Sequence, residues 1–561
     1  MSDTYVEQID GAPGAGKTYQ LRKRLEKEVD QGLELTDFYW LNFTNSGRED
    51  VEPEIEETFA GDDSDTDADD RARTFHGLAC RLVIRDGAID LETFDSQVLQ
   101  QGDYHTDEFD PYADFCRRQG MSYDPDYSDP KKLLSGVQET AYTGNLLFAI
   151  DDYLTQTCKP PAKWRSAPVD ILINDGDRVA QLLEEWDQYK RNPPMYEFRL
   201  FEHGDYVEYA VDQGLTPDVD VLFIDEFQDL APLEYQLYKL WRDTAGLERL
   251  YIAGDPNQSI YSFRGGTPYY FDATPTDDVV ELKDSRRCPE QIAAVGREVL
   301  AAHSDTDPRG FGGYEPGGMV RWRSPRDKYD LRDAVIEATD PDGVDDQPTP
   351  AVLLLTRTNH QLRQLTGDLR DVGIPFDILG SRRGMWDGDL GDMLTVLNGY
   401  ANGADTFYLP AVRTLCKKLR DDVNYARGFG KILAADELDE ILGRYATVPA
   451  IIRRLEIPKW KRDVLANAVD APAAIQRGEV QVGTVHTAKG LEAPTVYLFT
   501  TTSDSMVTRY ARNADAAAEE HRVYYVGATR ASERLYLVDD YFEGPTAPPI
   551  DQIRHYSEVL A

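Results

Sequence analysis

The run Gly11-Ala12-Pro13-Gly14-Ala15-Gly16-Lys17-Thr18 follows Tyr5 to Ile9, which reads as a short buried strand, and precedes a charged amphipathic stretch, Tyr19 to Val29. That order dictates a strand, a glycine loop and a helix, the opening unit of a parallel α/β sheet. The spacing G-x-x-x-x-G-K-[ST] turns backbone N–H groups inward as a cradle for phosphate oxygens, with Lys17 reaching the outer phosphates and the Thr18 hydroxyl meeting Mg²⁺. A second run, Val221-Leu222-Phe223-Ile224-Asp225-Glu226-Phe227-Gln228-Asp229, puts an acidic pair at the C-terminal end of an apolar strand, where α/β sheets bind ligands. Asp225 can hold Mg²⁺ through water, and Glu226 can accept a proton from a water attacking a γ-phosphate. A solvated acidic pair is the plain alternative for that run alone. Together the two runs indicate nucleoside triphosphate hydrolysis.

The 561 residues correspond to about three or four packed units at roughly 150 residues each. No run of eighteen apolar residues occurs and Met1-Ser2-Asp3-Thr4-Tyr5 lacks a basic and apolar leader, so the expectation is a cytoplasmic chain with no membrane partner. Cys80, Cys116, Cys158, Cys288 and Cys416 are scattered without a C-x-x-C pair and read as packing residues. Against 60 basic residues stand 101 acidic ones, a net charge of -41. Such a surface repels DNA at low salt and is expected of a protein from a salty cytoplasm, where screening removes most self-repulsion. An acidic protein of an ordinary cell is the other reading of the same charge.

Strand-like runs at Tyr5 to Ile9, Phe38 to Phe43, Val219 to Asp225 and Leu250 to Ala253 assign 1–79 and 218–282 to one α/β core. Helical spacing in 80–217, broken at Pro160-Pro161 and Pro193-Pro194, marks an insertion, and Asp62 to Asp70 is an acidic loop. Runs at Ala351 to Thr356, Val480 to Thr484 and Thr495 to Phe499 assign 283–392 and 468–561 to a second core. Within it, 393–467 reads as a shorter helical insertion with no strand signal.

Further segments fall in a fixed order. They are Phe43-Thr44-Asn45, Thr74-Phe75-His76, the run Gly254-Asp255-Pro256-Asn257-Gln258 with Ser259-Ile260-Tyr261-Ser262-Phe263-Arg264-Gly265, then Ser285-Arg286-Arg287, Thr356-Arg357-Thr358-Asn359, Thr484 to Glu492, and Val526 to Ala531. In this order the chain resembles a superfamily 1 helicase of the UvrD/Rep type nearly end to end. The resemblance implies two RecA-like parallel-sheet cores with helical insertions, and a monomer that uses ATP and Mg²⁺ on single-stranded and partly duplex DNA, moving 3′ to 5′.

The roles it implies have physical reasons. Gln258 matches the glutamine that senses the γ-phosphate, and Arg287 and Arg530 match arginines that neutralise charge on the transferring group. Arg286 stands where the family has a base-stacking tyrosine, and a guanidinium plane can stack too. Glu492 matches a position near the nucleotide sugar. Phe43, Tyr261 and Phe263 match rings that stack on unpaired bases. Asn45, Thr74, His76, Arg264, Arg357 and Asn359 match polar positions that hold the strand's backbone. Taken singly, the rings also read as core aromatics, His76 as a structural histidine and Arg357 as a solvated charge.

Two departures stand out. Only ten residues precede Gly11, so the glutamine segment with which the family grips adenine has no counterpart, and use of GTP or other triphosphates is expected. The usual Phe-Pro-His after the Thr484 segment is replaced by Ser503-Asp504-Ser505-Met506. Beside a DNA helicase, the residues leave open a translocase that strips proteins from single strands, an RNA motor, and a non-catalytic nucleotide-dependent clamp.

Overall fold

The computed structural model describes residues 4–43, 45–59, 70–99, 109–127, 133–134, 142–169, 176–244, 246–339, 350–380, 386, 388–419, 432–469 and 478–554. The acidic loop expected at Asp62 to Asp70 lies outside them apart from Asp70 itself. The chain forms two compact units, Met1–Arg286 with Arg309–Gly312, and Arg287–Pro308 with Gly313–Ala561.

The first unit is built on a parallel sheet of β1 (Tyr5–Gly11), β2 (Phe38–Asn42), β3 (Ala72–Thr74), β4 (Val221–Ile224), β5 (Arg249–Gly254) and β6 (Asp278–Leu282), in the order β3-β2-β4-β5-β1-β6. Its central strands carry apolar residues on both faces because both faces are covered. On one face Ile9, Trp40 and Phe223 pack with Leu21 and Leu25 of helix α1 (Lys17–Asp30) and with Val51 and Ile55 of α2 (Asn45–Thr58). On the other, Leu41, Leu222 and Ile252 pack with α3 (Phe75–Asp86) and with the helix His203–Asp212.

Those two helices correct the boundaries read from sequence, since the sequence reading cuts α3 at residue 80 and gives His203–Asp212 to the insertion. Their apolar faces belong to the sheet. The insertion has its own core, running from Leu99 to Leu200 around Trp186, Phe115 and Phe148. The first unit also keeps 283–286 and takes back Arg309–Gly312, which the sequence reading places in the second core.

The second unit carries β7 (Met319–Arg323), β8 (Val352–Thr356), β9 (Asp377–Ile378), β12 (Val480–Thr484), β13 (Ala493–Phe499) and β14 (Ala531–Val538) in the order β7-β14-β13-β8-β12-β9, again all parallel. Between β9 and β12 lies a helical subdomain with its own core around Met393, Leu397, Leu415 and Leu438. It also holds an antiparallel pair, β10 (Thr406–Tyr408) with β11 (Ile432–Ala434), which corrects the strand-free reading of 393–467. Three-residue strands carry too little alternation to register in sequence. Cys158 is exposed, not a packing residue, whereas Cys116, Cys288 and Cys416 are buried. Among the described residues no helix is long and apolar enough to cross a membrane.

Candidate functional site

Three neighbouring strands of the first sheet deliver the site. β4, β5 and β1 lie side by side, with Ile224 paired to Ile252 and Asp10 paired to Gly254. Their C-terminal ends run into Asp225-Glu226, Asp255 to Gln258 and the loop Gly11 to Gly16 respectively. A parallel sheet puts all these ends on one edge.

The loop turns at Gly14 and Gly16, with φ of 67° and 91°, values that favour glycine. Gly16 is also the N-cap of α1 and brings no side chain to it, so the first N–H groups of the helix face outward as an anion cradle. The loop is closed by Ala15 N–H donating to the Ala12 carbonyl at 3.1 Å. Lys17 folds back, its Nζ donating to the carbonyls of Gly11 at 3.0 Å and Ala12 at 3.4 Å. A Cβ at Gly11 would stand 2.6 Å from Lys17 Cγ, so a side chain there would displace the lysine stem.

Across the strand ends, the Thr18 hydroxyl donates to Asp225 Oδ2 at 2.7 Å. Asp225 Oδ1 accepts from the Glu226 backbone at 2.9 Å. Burial, with the Glu226 carboxylate beside it, raises the Asp225 carboxyl to about 6, against the opposing pull of Thr18 and Lys17. Glu226 itself has a φ of 56°, a left-handed backbone costing a non-glycine residue about 1 kcal/mol or more. That turn aims its carboxylate at Gln228, whose Nε2 donates to Glu226 Oε2 at 2.5 Å. Gln228 Oε1 accepts from the Asp255 backbone at 3.0 Å, linking the β4 and β5 ends. Gly254 makes room for it, since a Cβ there would lie 2.5 Å from that oxygen. Asp255 then holds Gln258, accepting from its Nε2 at 2.8 Å.

Arg286 belongs to the first unit. Its backbone N–H donates to the Gly14 carbonyl at 2.8 Å, and its guanidinium lies 5.8 Å from the centre of the Tyr19 ring. Tyr19, an exposed aromatic directly after Lys17-Thr18, is a candidate contact that motif matching passed over. Its signal was its place one residue beyond the loop. Gln228 and Asp255 were passed over likewise as supports of Glu226 and Gln258.

Arg287 and Arg530 lie in the second unit. Arg287 is ion-paired to Glu492, so these two residues meet each other. Arg530 is 1% exposed, its Nε donating to the Val526 carbonyl at 3.0 Å and its Nη1 to Leu491 at 3.2 Å.

Of the residues matched to strand binding, four converge in the first unit. The Phe43 and Tyr261 rings stack at 5.2 Å and 26°. Arg264 caps the Phe43 ring at 4.9 Å, and Phe263 meets Tyr261 edge-on at 5.9 Å. Phe263 also packs against Leu133, Leu134 and Ala149 of the insertion, so part of its ring is spent on folding. His76 is held at both ring nitrogens, Nδ1 by Glu234 at 3.2 Å and Nε2 by the Gln156 side chain at 3.3 Å. Burial pushes the Glu234 carboxyl up, yet the His76 contact and the Arg264 charge outweigh it and leave it below its usual value. The Thr74 hydroxyl oxygen accepts from Gly77 N–H at 3.0 Å as the N-cap of α3. The side chain of Asn45 lies outside the described residues.

Arg357, which the resemblance assigns to the strand's backbone, is engaged within the second unit. Its guanidinium forms a bidentate ion pair with Glu520, Nε to Oε1 and Nη2 to Oε2 both at 2.8 Å, with both side chains largely buried. Asn359 opens the next helix, half-exposed, behind the cap Thr358. Breaking a buried pair strands a charge, so Arg357→Ala is expected to lose about 3 kcal/mol of stability or more, read as a lower denaturation midpoint. DNA affinity per folded molecule should change little.

Comparison with known proteins agrees with this arrangement. Residues 5–277 match the UvrD/REP helicase N-terminal domain, and residues 451–539 match the UvrD-like helicase C-terminal domain. The chain is 26% identical over 335 residues to the ATP-dependent DNA helicase UvrD2 of Mycobacterium tuberculosis, a match covering 56% of this chain and 46% of that protein. It is 21% identical over 400 residues to the ATP-dependent DNA helicase PcrA of Staphylococcus epidermidis, covering 57% and 54%. PcrA of Staphylococcus aureus matches at 21% over 398 residues, covering 56% and 54%. The chain thus spans about half the length of the curated relatives it matches. With both halves of one family's catalytic region matched in order, the chain belongs to the UvrD/Rep type of superfamily 1 helicases.

Proposed function

We propose that the chain hydrolyses ATP and couples the cycle to movement along single-stranded DNA, unwinding duplex as it goes in the 3′ to 5′ direction. The observation that carries this reading is the meeting of phosphate loop, acidic pair and glutamine on one edge of β4-β5-β1, with Thr18 touching Asp225 at 2.7 Å.

The loop N–H groups and Lys17 hold the phosphates, and Glu226 takes a proton from the attacking water. As that water's oxygen bonds to the γ-phosphorus, the bond to the bridging oxygen breaks, giving ADP and phosphate. Gln258, fixed by Asp255, holds a neutral amide ready for the γ-phosphate. The hydroxyl of Thr18 and the carboxylate of Asp225 are a hard oxygen pair that fits Mg²⁺, an ion that takes its other ligands from phosphate and water. When bound, the metal would draw charge from the phosphate oxygens. Arg287 and Arg530 are assigned by family position to neutralise the transferring group. Tyr19 and Arg286 offer flat surfaces on which any base can stack, which supports use of triphosphates beyond ATP; strict ATP preference in competition would contradict that part.

On the strand side, Phe43 and Tyr261 are the stacking rings, with Arg264 beside them. An acidic protein at high salt gains little from counterion release, so stacking carries the binding. Phe43→Ala or Tyr261→Ala should each lower single-strand affinity by about 5- to 150-fold, a loss that persists in molar salt. A titration of a labelled oligonucleotide at two salt concentrations checks it. Unwinding itself is tested with duplexes bearing either a 3′ or a 5′ single-stranded tail. The reading expects ATP-dependent opening of the 3′-tailed duplex, and stimulated ATP turnover without opening of either would confine the protein to translocation.

A further inference from the structure

Asp10 is the last residue of β1 before the first glycine of the phosphate loop, and four charged side chains reach it or its surroundings. The Arg309 guanidinium pairs with Asp10 and, through Nη2, with Asp272 at 2.6 Å. Asp255, the partner of Gln258, and Lys17 are both close enough to act on the Asp10 carboxylate electrostatically. Three carboxylates, Asp10, Asp255 and Asp272, therefore gather behind the lysine that must meet phosphate, and Arg309 stands among them.

The segment that brings Arg309 is unusual. Arg309–Gly312 belongs to the first unit, while the residues on either side, Arg287–Pro308 and from Gly313 onward, belong to the second. It is stitched to the chain after β6 by Gly312 N–H donating to the Lys283 carbonyl and Ser285 N–H donating to the Gly312 carbonyl, both at 2.9 Å. Arg309 adopts a φ of 51° there, a strained conformation for an arginine.

We propose that Arg309 is a positioning residue of the nucleotide site: it neutralises Asp10 so that Lys17 stays committed to phosphate and is not drawn to the carboxylate at the base of the loop. This rests on the ATPase reading above and extends it to a residue outside every matched motif. Burial holds the Asp10 carboxyl up at about 6, with Asp255 and Asp272 adding to the rise and Arg309 and Lys17 opposing it. Loss of Arg309 raises it further. The sign follows: at low pH Asp10 carries its own proton and needs no arginine, whereas at high pH it is a bare carboxylate competing for Lys17.

The test is steady-state ATP hydrolysis by the full chain carrying Arg309→Gln, at about pH 6 and about pH 8.5, each compared with wild type at the same pH. We expect KM for ATP to rise about tenfold at the higher pH with kcat changed much less, and the defect to shrink toward the lower pH. Adding Asp10→Asn to Arg309→Gln should restore KM, because the charge that needed neutralising is gone. A residue that merely tethers its segment predicts the opposite, a double variant as impaired as the single one at either pH. That result, or an Arg309→Gln chain with unchanged KM, overturns the proposal, and thermal melting of each variant separates a KM effect from a folding loss. A wild-type chain that neither binds nor hydrolyses ATP defeats the ATPase reading itself, and this inference with it.

Discussion

Glu226→Gln is expected to stop ATP turnover while leaving the nucleotide bound. Its carboxylate stands at the C-terminal end of β4 on a left-handed residue, next to the buried Asp225 and held by the Gln228 amide. The amide of glutamine has the same shape and cannot take a proton from water. Loss of a positioned general base lowers kcat by about 10²- to 10⁴-fold. The Lys17 and loop N–H contacts that bind phosphate remain, so the dissociation constant should shift only a few-fold. Single-turnover hydrolysis beside calorimetric binding of ATP checks both halves, and a variant that retains most of its turnover would move the base elsewhere.

Lys17→Ala is expected to weaken both binding and chemistry. The ammonium sits against the carbonyls of Gly11 and Ala12, one short movement from the cradle it serves, and its stem fills the space that Gly11 leaves by having no side chain. Removing a preorganised charge from a phosphate site costs about 10²- to 10³-fold in turnover. The affinity for ATP should fall as well, since the ground-state phosphates lose their cation, and that is what separates this variant from Glu226→Gln. Gly11→Ala should imitate it in part by pushing the lysine stem aside.

The difference between what the sequence showed and what it hid is one of range. β4, β5, β8 and β13 announce themselves because they lie inside their sheets and are apolar on both faces, and β1 and β12 keep enough apolar residues to show despite Glu7, Gln8 and Gln481. β6, with the pattern Asp-Val-Val-Glu-Leu, and β7, Met-Val-Arg-Trp-Arg, lie at sheet edges where one flank faces water and charge is tolerated, while β3 and β9 are too short to show a period. In the site, the local runs Gly11 to Thr18, Asp225-Glu226 and Asp255 to Gln258 were readable because each carries its chemistry within a few residues. Contacts made across the fold were not. Arg309 meets Asp10, Arg357 meets Glu520, and His76 meets Gln156 and Glu234 only after folding brings distant segments together. For Arg357 and His76 this matters to function, because the side chains that family position assigns to the DNA strand are engaged within the protein.

The most direct measurement of the central claim is ATP hydrolysis by the intact protein in the presence and absence of single-stranded DNA, in dilute buffer and in molar KCl. A DNA-coupled motor predicts turnover that rises strongly with DNA, falls away with Glu226→Gln, and loses its DNA dependence when Phe43 or Tyr261 is replaced by alanine. Turnover indifferent to DNA, or stimulated by RNA in its place, would contradict it.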